Sequence, residues 1–362
     1  MMIGTLSRYF GLRFLFVFVA IFGGMLLMVA MVDFVEMLRR SSHITDVSSL
    51  FVAKVTIYRV PFLTERIMPF AMMAGAMFCY LNFSRRLELV VARAAGVSAW
   101  QFVAPAVLIA LVVGIAATTL YNPMSAMLRE ESARLEAELF RQNLGLQDFG
   151  GGYWIRQRTD EGQAIINAKG SSQQGIALAV VTVFRFDHLD TFVERIEAKS
   201  AVLRTGFWRL QEVRILRTDA GPVERSEYDL KTSLTPTQVR ESFATPDTVP
   251  FWQLSDYIRL AESAGLQTAG YRMQYYQLLA QPLYLVAMVI LAASVSLRSF
   301  RFGGVQKMVL GGVIVSFLLY VLSKITGDLS KAGLMPPMVA AGLPPLVGGL
   351  TGLITLLYQE DG

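Results

Sequence analysis

Residues from about 121 to 272 read like ordinary soluble protein, and three membrane-length apolar stretches stand on either side of them. A crossing helix needs about 20 mostly apolar residues. The first three stretches run from about Leu12 to Val32, Val60 to Phe83 and Val97 to Leu120, the last stopped by Asn122-Pro123. The other three run from about Met273 to Leu297, Val305 to Ile325 and Met338 to Tyr358. A chain laid out this way carries its middle across a membrane and anchors it at both ends. The first stretch is longer than the apolar core of a signal peptide. Glu36, Arg39 and Arg40 follow it in place of a small-residue cleavage site, which predicts a retained anchor.

At 54% hydrophobic and 17% charged residues, with mean hydropathy +0.46, the composition supports several spans. The net charge of +5 is small, and its placement speaks for arginines near a membrane rather than for nucleic acid. Arg8, Arg13, Arg85, Arg86, Arg93, Arg298, Arg301 and Lys307 flank the span ends on one side, against Arg39, Arg40, Lys54, Arg59 and Lys331 on the other. That bias places both termini in the cytoplasm and the middle domain outside, the periplasm in a Gram-negative cell. Cys79 is the only cysteine, and the two histidines, His43 and His188, lie on separate segments. Neither an intrachain disulfide nor a cysteine cluster is possible, and a membrane enzyme is disfavoured because no nucleophile–base pair or metal-ligand spacing occurs.

The middle domain opens on a helix, about 123 to 146, closed by Gly150-Gly151-Gly152. Strand-like runs follow at 153–157, 164–168, 177–186, 191–198, 201–204, 208–216 and 224–232. Short strands in series predict a sandwich or jelly roll. Between Ala177 and Phe186 both faces are apolar, Val181 and Val183 on one, Val180, Phe184 and Phe186 on the other. The run is either a strand between two layers or a wall of a greasy groove. An amphipathic helix over 251–264, with Leu254, Tyr257 and Ile258 on its apolar face, returns to the membrane.

No Gly-Lys dipeptide occurs, so the chain has no P-loop, and any ATP is bound and hydrolysed by another subunit. Residues 84–96, Ser-Arg-Arg-Leu-Glu-Leu-Val-Val-Ala-Arg-Ala-Ala-Gly, read as a short amphipathic helix. Leu87, Val90, Val91 and Ala94 share one face, and Gly96 suits its C-terminal stop. It either lies on anionic headgroups or docks a cytoplasmic partner. Charges cluster where the first two spans end: Asp33, Glu36, Arg39, Arg40, Arg59, Glu65 and Arg66. Snorkelling accounts for Arg39, Arg40 and Arg59. Glu65 and Arg66 lie deeper, where a cavity wall or an internal ion pair explains them equally. Lys324 and Asp328 are spaced as an i, i+4 pair.

The layout, the Pro69-Phe70-Ala71 start of span two and the 87–96 segment resemble the LptF/LptG permeases. Residues 152–157 (Gly-Tyr-Trp-Ile-Arg-Gln), Gln281-Pro282-Leu283 and 333–337 (Gly-Leu-Met-Pro-Pro) resemble the LptG branch more than the LptF branch. The resemblance implies a six-span helical membrane protein with an inserted periplasmic jelly-roll-like β-domain. Its parts would be spans one to three over 1–122, with a coupling helix about 85–96, the β-domain with flanking helices over 123–268, and spans four to six over 269–362. It implies lipopolysaccharide export from the bacterial inner membrane, with no cofactor in this chain. The implied partners are an LptB-type ATPase dimer, an LptF-type sibling, and LptC and LptA-type proteins forming the periplasmic bridge. By position, Glu88 would contact the ATPase, with Arg86 and Arg93 in support. Arg129 and Arg134 would meet lipid phosphates. Asp33 stands in span one, where some relatives have lysine, and Phe62 near another such position, with Arg66 the substitute cation. Val181, Val183 and Phe184 would line the lipid path of the β-domain. A cargo of about six tails of a dozen carbons would cost ~50 kcal/mol to expose to water at ~0.8 kcal/mol per methylene, so it must pass between apolar surfaces. A membrane subunit that transmits force to periplasmic partners without moving lipid is the alternative, and usually has four spans.

Overall fold

The computed structural model describes residues 2–42, 48–141, 153–159, 162–172, 177–187, 191–217, 220–232, 246–263, 268–301 and 305–360. The chain forms two compact units: Met1–Leu135 with Pro246–Gly362, and Glu136–Thr245 between them.

The first unit is helical. Its elements are α1 (Met2–Ser41), α2 (Ser49–Arg85), α3 (Glu88–Ala94), α4 (Ala99–Ala116), most of α5 (Asn122–Arg141), α6 (Phe251–Ser263), α7 (Ala269–Arg301), α8 (Val305–Lys331) and α9 (Pro337–Glu360). Among the described residues six helices are long and apolar enough to cross a membrane, and they match the six sequence-predicted stretches. Two boundaries differ. The second span begins at Ser49, capped by its neighbour Ser48, because Lys54 and Arg59 hide a helical turn pattern from a hydropathy reading. The third does not stop at Asn122-Pro123. A π-helical turn, Ala117–Tyr121, carries α4 directly into α5. Its widened hydrogen bond runs from Asn122 N–H to Ala117 O. At the other end of α4, Ser98 and Gln101 form a reciprocal capping box.

Prolines inside these helices orphan the carbonyl four residues back. In lipid such a group must find another donor. Three of them do, each from a neighbouring helix. Thr118 Oγ1 donates to Leu278 O, four residues before Pro282, at 2.8 Å. Thr326 Oγ1 donates to Ala340 O, four before Pro344, at 2.9 Å. Trp252 Nε1 donates to Thr119 O, four before Pro123, at 3.1 Å. Each broken helix is thereby tied to another. Thr118→Val, which keeps shape but removes the donor, is expected to destabilise the helical unit by about 1–2 kcal/mol, with Thr118→Ser near wild type. Denaturant titration of the detergent-solubilised protein measures this, and equal midpoints for Val and wild type would refute the tie.

The helices meet closely where side chains are absent. A Cβ on Gly114 of α4 would run into Pro282 of α7, and one on Gly352 of α9 would meet the Leu291 backbone N at 3.1 Å. Phe10, Phe83 and Phe102 from α1, α2 and α4 cluster with centroids 4.5 to 5.6 Å apart.

The second unit is a six-stranded antiparallel meander: β1 (Tyr153–Thr159), β2 (Gly162–Ser172), β3 (Ala177–Phe186), β4 (Phe192–Arg204), β5 (Phe207–Arg217) and β6 (Ala220–Lys231), paired in chain order. The separate strands expected at 191–198 and 201–204 are one, β4. The reason is a crease. In β4 the buried positions are Glu194, Ile196 and Ala198, then Ala201 and Leu203, so the alternation slips by one residue. β5 slips between Leu210 and Val213, and β3 between Leu178 and Val181. The slips lie in one row, Val180–Lys199–Glu212, where the ladder pairs are missing while the register on both sides is the same. Val180 and Glu212 take left-handed backbone there, at φ 49° and 52°. Because β3, β4 and β5 hold the extra residue at the same level, the sheet bends there while its register carries through. One face stays inward on both sides of the bend and forms a core around Trp208, Leu210, Ile166 and Ile196. On that face Glu194 is buried between Arg185, at 2.7 Å, and Arg217, at 2.9 Å. Its hydrogen bond raises the Arg217 guanidinium above its usual range.

Candidate functional site

Two groups of polar residues stand toward opposite ends of α2. From Phe62 to Arg85 the helix rises about 35 Å at ~1.5 Å per residue, a bilayer's thickness.

At the C-terminal end, α2 turns through Arg86 and Leu87 into α3. Leu87 has left-handed backbone (φ 60°), and Gly96, at φ 80°, lies just past the helix. Leu89 and Ala92 are the residues α3 buries. The stripe predicted to be its apolar face points outward: Leu87 is 58% exposed, Val90 49% and Val91 67%. Arg86 and Arg93 are exposed as well. Glu88 turns the other way, toward α1. Arg13 Nη1 lies 3.2 Å from Glu88 Oε1, and Tyr9 hydroxyl joins both side chains. The Arg13 guanidinium also sits 5.4 Å from the Phe83 ring centroid, on the aromatic cluster. Glu88 Oε2 is buried and has no hydrogen-bond partner among the described residues. The three residues singled out from sequence therefore separate: Arg86 and Arg93 face out, and Glu88 is held by α1. Arg13, which the sequence showed only as one of the basic residues flanking the spans, is the residue that holds it.

Thirteen residues in from the N-terminal end of α2, Phe62 is a platform. Arg66 stacks over its ring at 4.5 Å and Arg129 of α5 at 5.2 Å. Two cations on one ring make a site for a divalent or branched anion. Arg66 Nη2 also pairs with Asp247 Oδ2 at 2.9 Å. Arg134 stands apart, one and a half turns further along α5, paired with Glu130 and Glu131. Glu65 does not pair with Arg66. Its carboxylate accepts from Asn122 Nδ2 and Ser125 Oγ, each at 2.9 Å, and Asn122 Oδ1 accepts from Phe251 N–H at 3.0 Å. Glu65 thus pins α2 to the start of α5 and of α6. Further out, Asp33 of α1 pairs with Arg59 of α2 at 3.5 Å, and Glu36 clasps Arg39 and Arg40. Each of these arginines thus has a carboxylate beside it. Lys324 and Asp328 pair at 3.6 Å, as their spacing predicts. Phe62, Arg66, α7 and α8 wall a cleft of about 250 Å³.

The sequence agrees with a known group over almost its whole length. The family model described as lipopolysaccharide export system permease LptF/LptG matches residues 8–358. The chain belongs to the LptF/LptG family. Among curated relatives, the lipopolysaccharide export system permease protein LptG of Haemophilus influenzae is 24% identical over 361 residues, covering 96% of each chain. The LptG protein of Escherichia coli K12 is 24% identical over 379 residues, covering 99% of each. This LptF/LptG member is accordingly a multi-pass membrane permease subunit of an export system, with an all-β domain inserted between its two sets of helices.

In the β-domain, Val181 and Val183 are buried in the core of the bent sheet. Phe184 is half-buried on the opposite face, with the Arg195 guanidinium 5.8 Å from its ring centroid. The three do not share a surface.

Proposed function

We propose that this chain moves lipopolysaccharide out of the bacterial inner membrane, driven by an ATPase it does not itself contain. The observation that carries the reading is the outward apolar stripe of α3, flanked by Arg86 and Arg93. Leu87, Val90 and Val91 stay exposed beside a packed bundle, and with Arg86 and Arg93 next to them we assign their cover to a partner protein rather than to lipid headgroups. An LptB-type ATPase dimer is the partner, and ATP is bound there rather than in this chain. An LptF-type sibling completes the membrane cavity, and LptC and LptA-type proteins receive the lipid. Both termini face the cytoplasm, and the β-domain lies in the periplasm.

Phosphates of the cargo meet Arg66 and Arg129 above Phe62, with Arg134 as an outer contact, and α2 carries motion between α3 and this site. Phe184, or the core valines Val181 and Val183 if the bent sheet opens, would carry acyl chains in the β-domain. Neutralising both stacked cations (Arg66→Gln with Arg129→Gln) removes two charge-assisted contacts of about 1.5–3 kcal/mol each before geometric losses. The assembled complex is expected to retain at least tenfold less lipopolysaccharide in nanodiscs. Undiminished retention by the double variant overturns the phosphate role. A photo-crosslinker at Phe184 is expected to capture lipopolysaccharide during ATP turnover. Absence of capture there and at Val181 favours force transmission without lipid passage.

A further inference from the structure

One wall of the cleft is chemically unlike the rest. Gln274, Gln277 and Gln281 recur at i, i+3 and i+7 on α7, all half-buried and all lining the cleft. Spacing of this kind puts them on one side of the helix. Other polar side chains of the spans reach a neighbouring helix, as Thr118 and Thr326 do. Among the described residues these three amides make no hydrogen bond within the protein. The facing helix is cut back opposite them: a Cβ on Gly327 of α8 would stand 3.4 Å from Gln277 Nε2. Tyr284 and Tyr320 continue the lining, with Tyr320 tilted on Phe70 at 5.6 Å.

We propose that this amide wall reads sugar hydroxyls, so that the cleft selects a saccharide-bearing amphiphile over a phospholipid whose head carries no donor. The proposal rests on the cleft being the lipid site described above. A primary amide offers two donors and an acceptor, and a hydroxyl both donates and accepts, so the two satisfy each other completely. A phosphate diester only accepts. It is served by cations, which the cleft holds at Arg66, Lys324 and Lys331, and would leave each amide oxygen unmatched. A site built to bond a hydroxyl rejects the analogue that lacks it, because its own buried polar groups then go unpaired. The tyrosine rings add flat apolar faces with polar tips, suited to the two-sided character of a sugar ring. The cleft's volume of about 250 Å³ admits a polar head and not a bundle of acyl chains.

The test uses the complete complex, co-expressed with its sibling permease and ATPase, in phosphatidylcholine nanodiscs loaded with lipopolysaccharide, because a choline head carries no hydroxyl. Both lipids retained per complex are counted by mass spectrometry. For Gln277→Leu with Gln281→Leu, retained lipopolysaccharide is expected to fall about tenfold while phosphatidylcholine holds steady. Gln277→Met, which keeps the side chain's length and removes one amide, is expected to give a smaller fall of the same selectivity. It decides the matter if the double variant does not assemble. Unchanged lipopolysaccharide, an equal fall in both lipids, or loss of the sibling permease from either assembled variant overturns the proposal, the last because the wall would then belong to a subunit contact. A wild-type complex that holds phosphatidylcholine alone overturns the transport reading beneath it.

Discussion

Reversing the charge at Glu88 (Glu88→Lys) is expected to part ATP hydrolysis from lipid release, lowering lipid released per ATP by roughly ten- to a hundredfold. That range follows from losing a charge-assisted contact of about 1.5–3 kcal/mol. Arg13 and Glu88 are 20% and 26% exposed, shielded enough that solvent does not cancel the pair. A lysine at 88 also sets an ammonium against the Arg13 guanidinium. Two routes lead to the same loss, through the ATPase or through α1, and a charge swap separates them. Adding Arg13→Glu rebuilds the α1–α3 pair with reversed sign. Recovery of release means that Glu88 acts by holding α3 to α1. Continued loss in an assembled complex means that it acts on the ATPase. Normal coupling in the single variant ends both accounts.

Placing valine at Gly114 is expected to be the most damaging single change in the helical unit. Overpacking costs about 1–3 kcal/mol when neighbouring side chains can shift. Here the obstacle is the backbone of Pro282, which cannot. Thr118 lies one turn along the same face of the helix, and its bond to Leu278 O depends on the same approach. Forcing α4 from α7 therefore also strands a carbonyl inside the membrane, adding about 1–2 kcal/mol. Gly114→Val should reduce stability by about 3 kcal/mol or more, and Gly114→Ala by less. Denaturant titration in detergent measures both. A valine variant with the wild-type midpoint is incompatible with the crossing described.

The six spans were legible because a bilayer sets a length that a hydropathy reading measures directly. The inserted strands were legible from alternation and turns. The reading failed where one local signal stood for two physical situations. Asn122-Pro123 looks like a stop, yet a widened helical turn and the Trp252 indole absorb it. Lys199-Ser200 looks like the gap between two strands because alternation slips there, yet pairing continues on either side. The stripe on α3 was seen correctly, but period alone does not say whether apolar residues face a core, a lipid or a partner. Arg66 and Arg129 stood out as charges beside spans. Phe62 was legible only as a residue near a position where some relatives have lysine, because an aromatic ring in an apolar run looks the same whether it carries two guanidiniums or meets lipid.

The row through Val180, Lys199 and Glu212 also limits how such a domain can change over evolutionary time. Deleting one residue from β4 alone at that level would restore its alternation but leave the strand one residue short against β3 and β5, so that one half loses its register with both neighbours. Strand lengths on this side of the chain can change only in concert. Insertions and deletions among related domains should therefore gather at the hairpins and spare that level of the sheet.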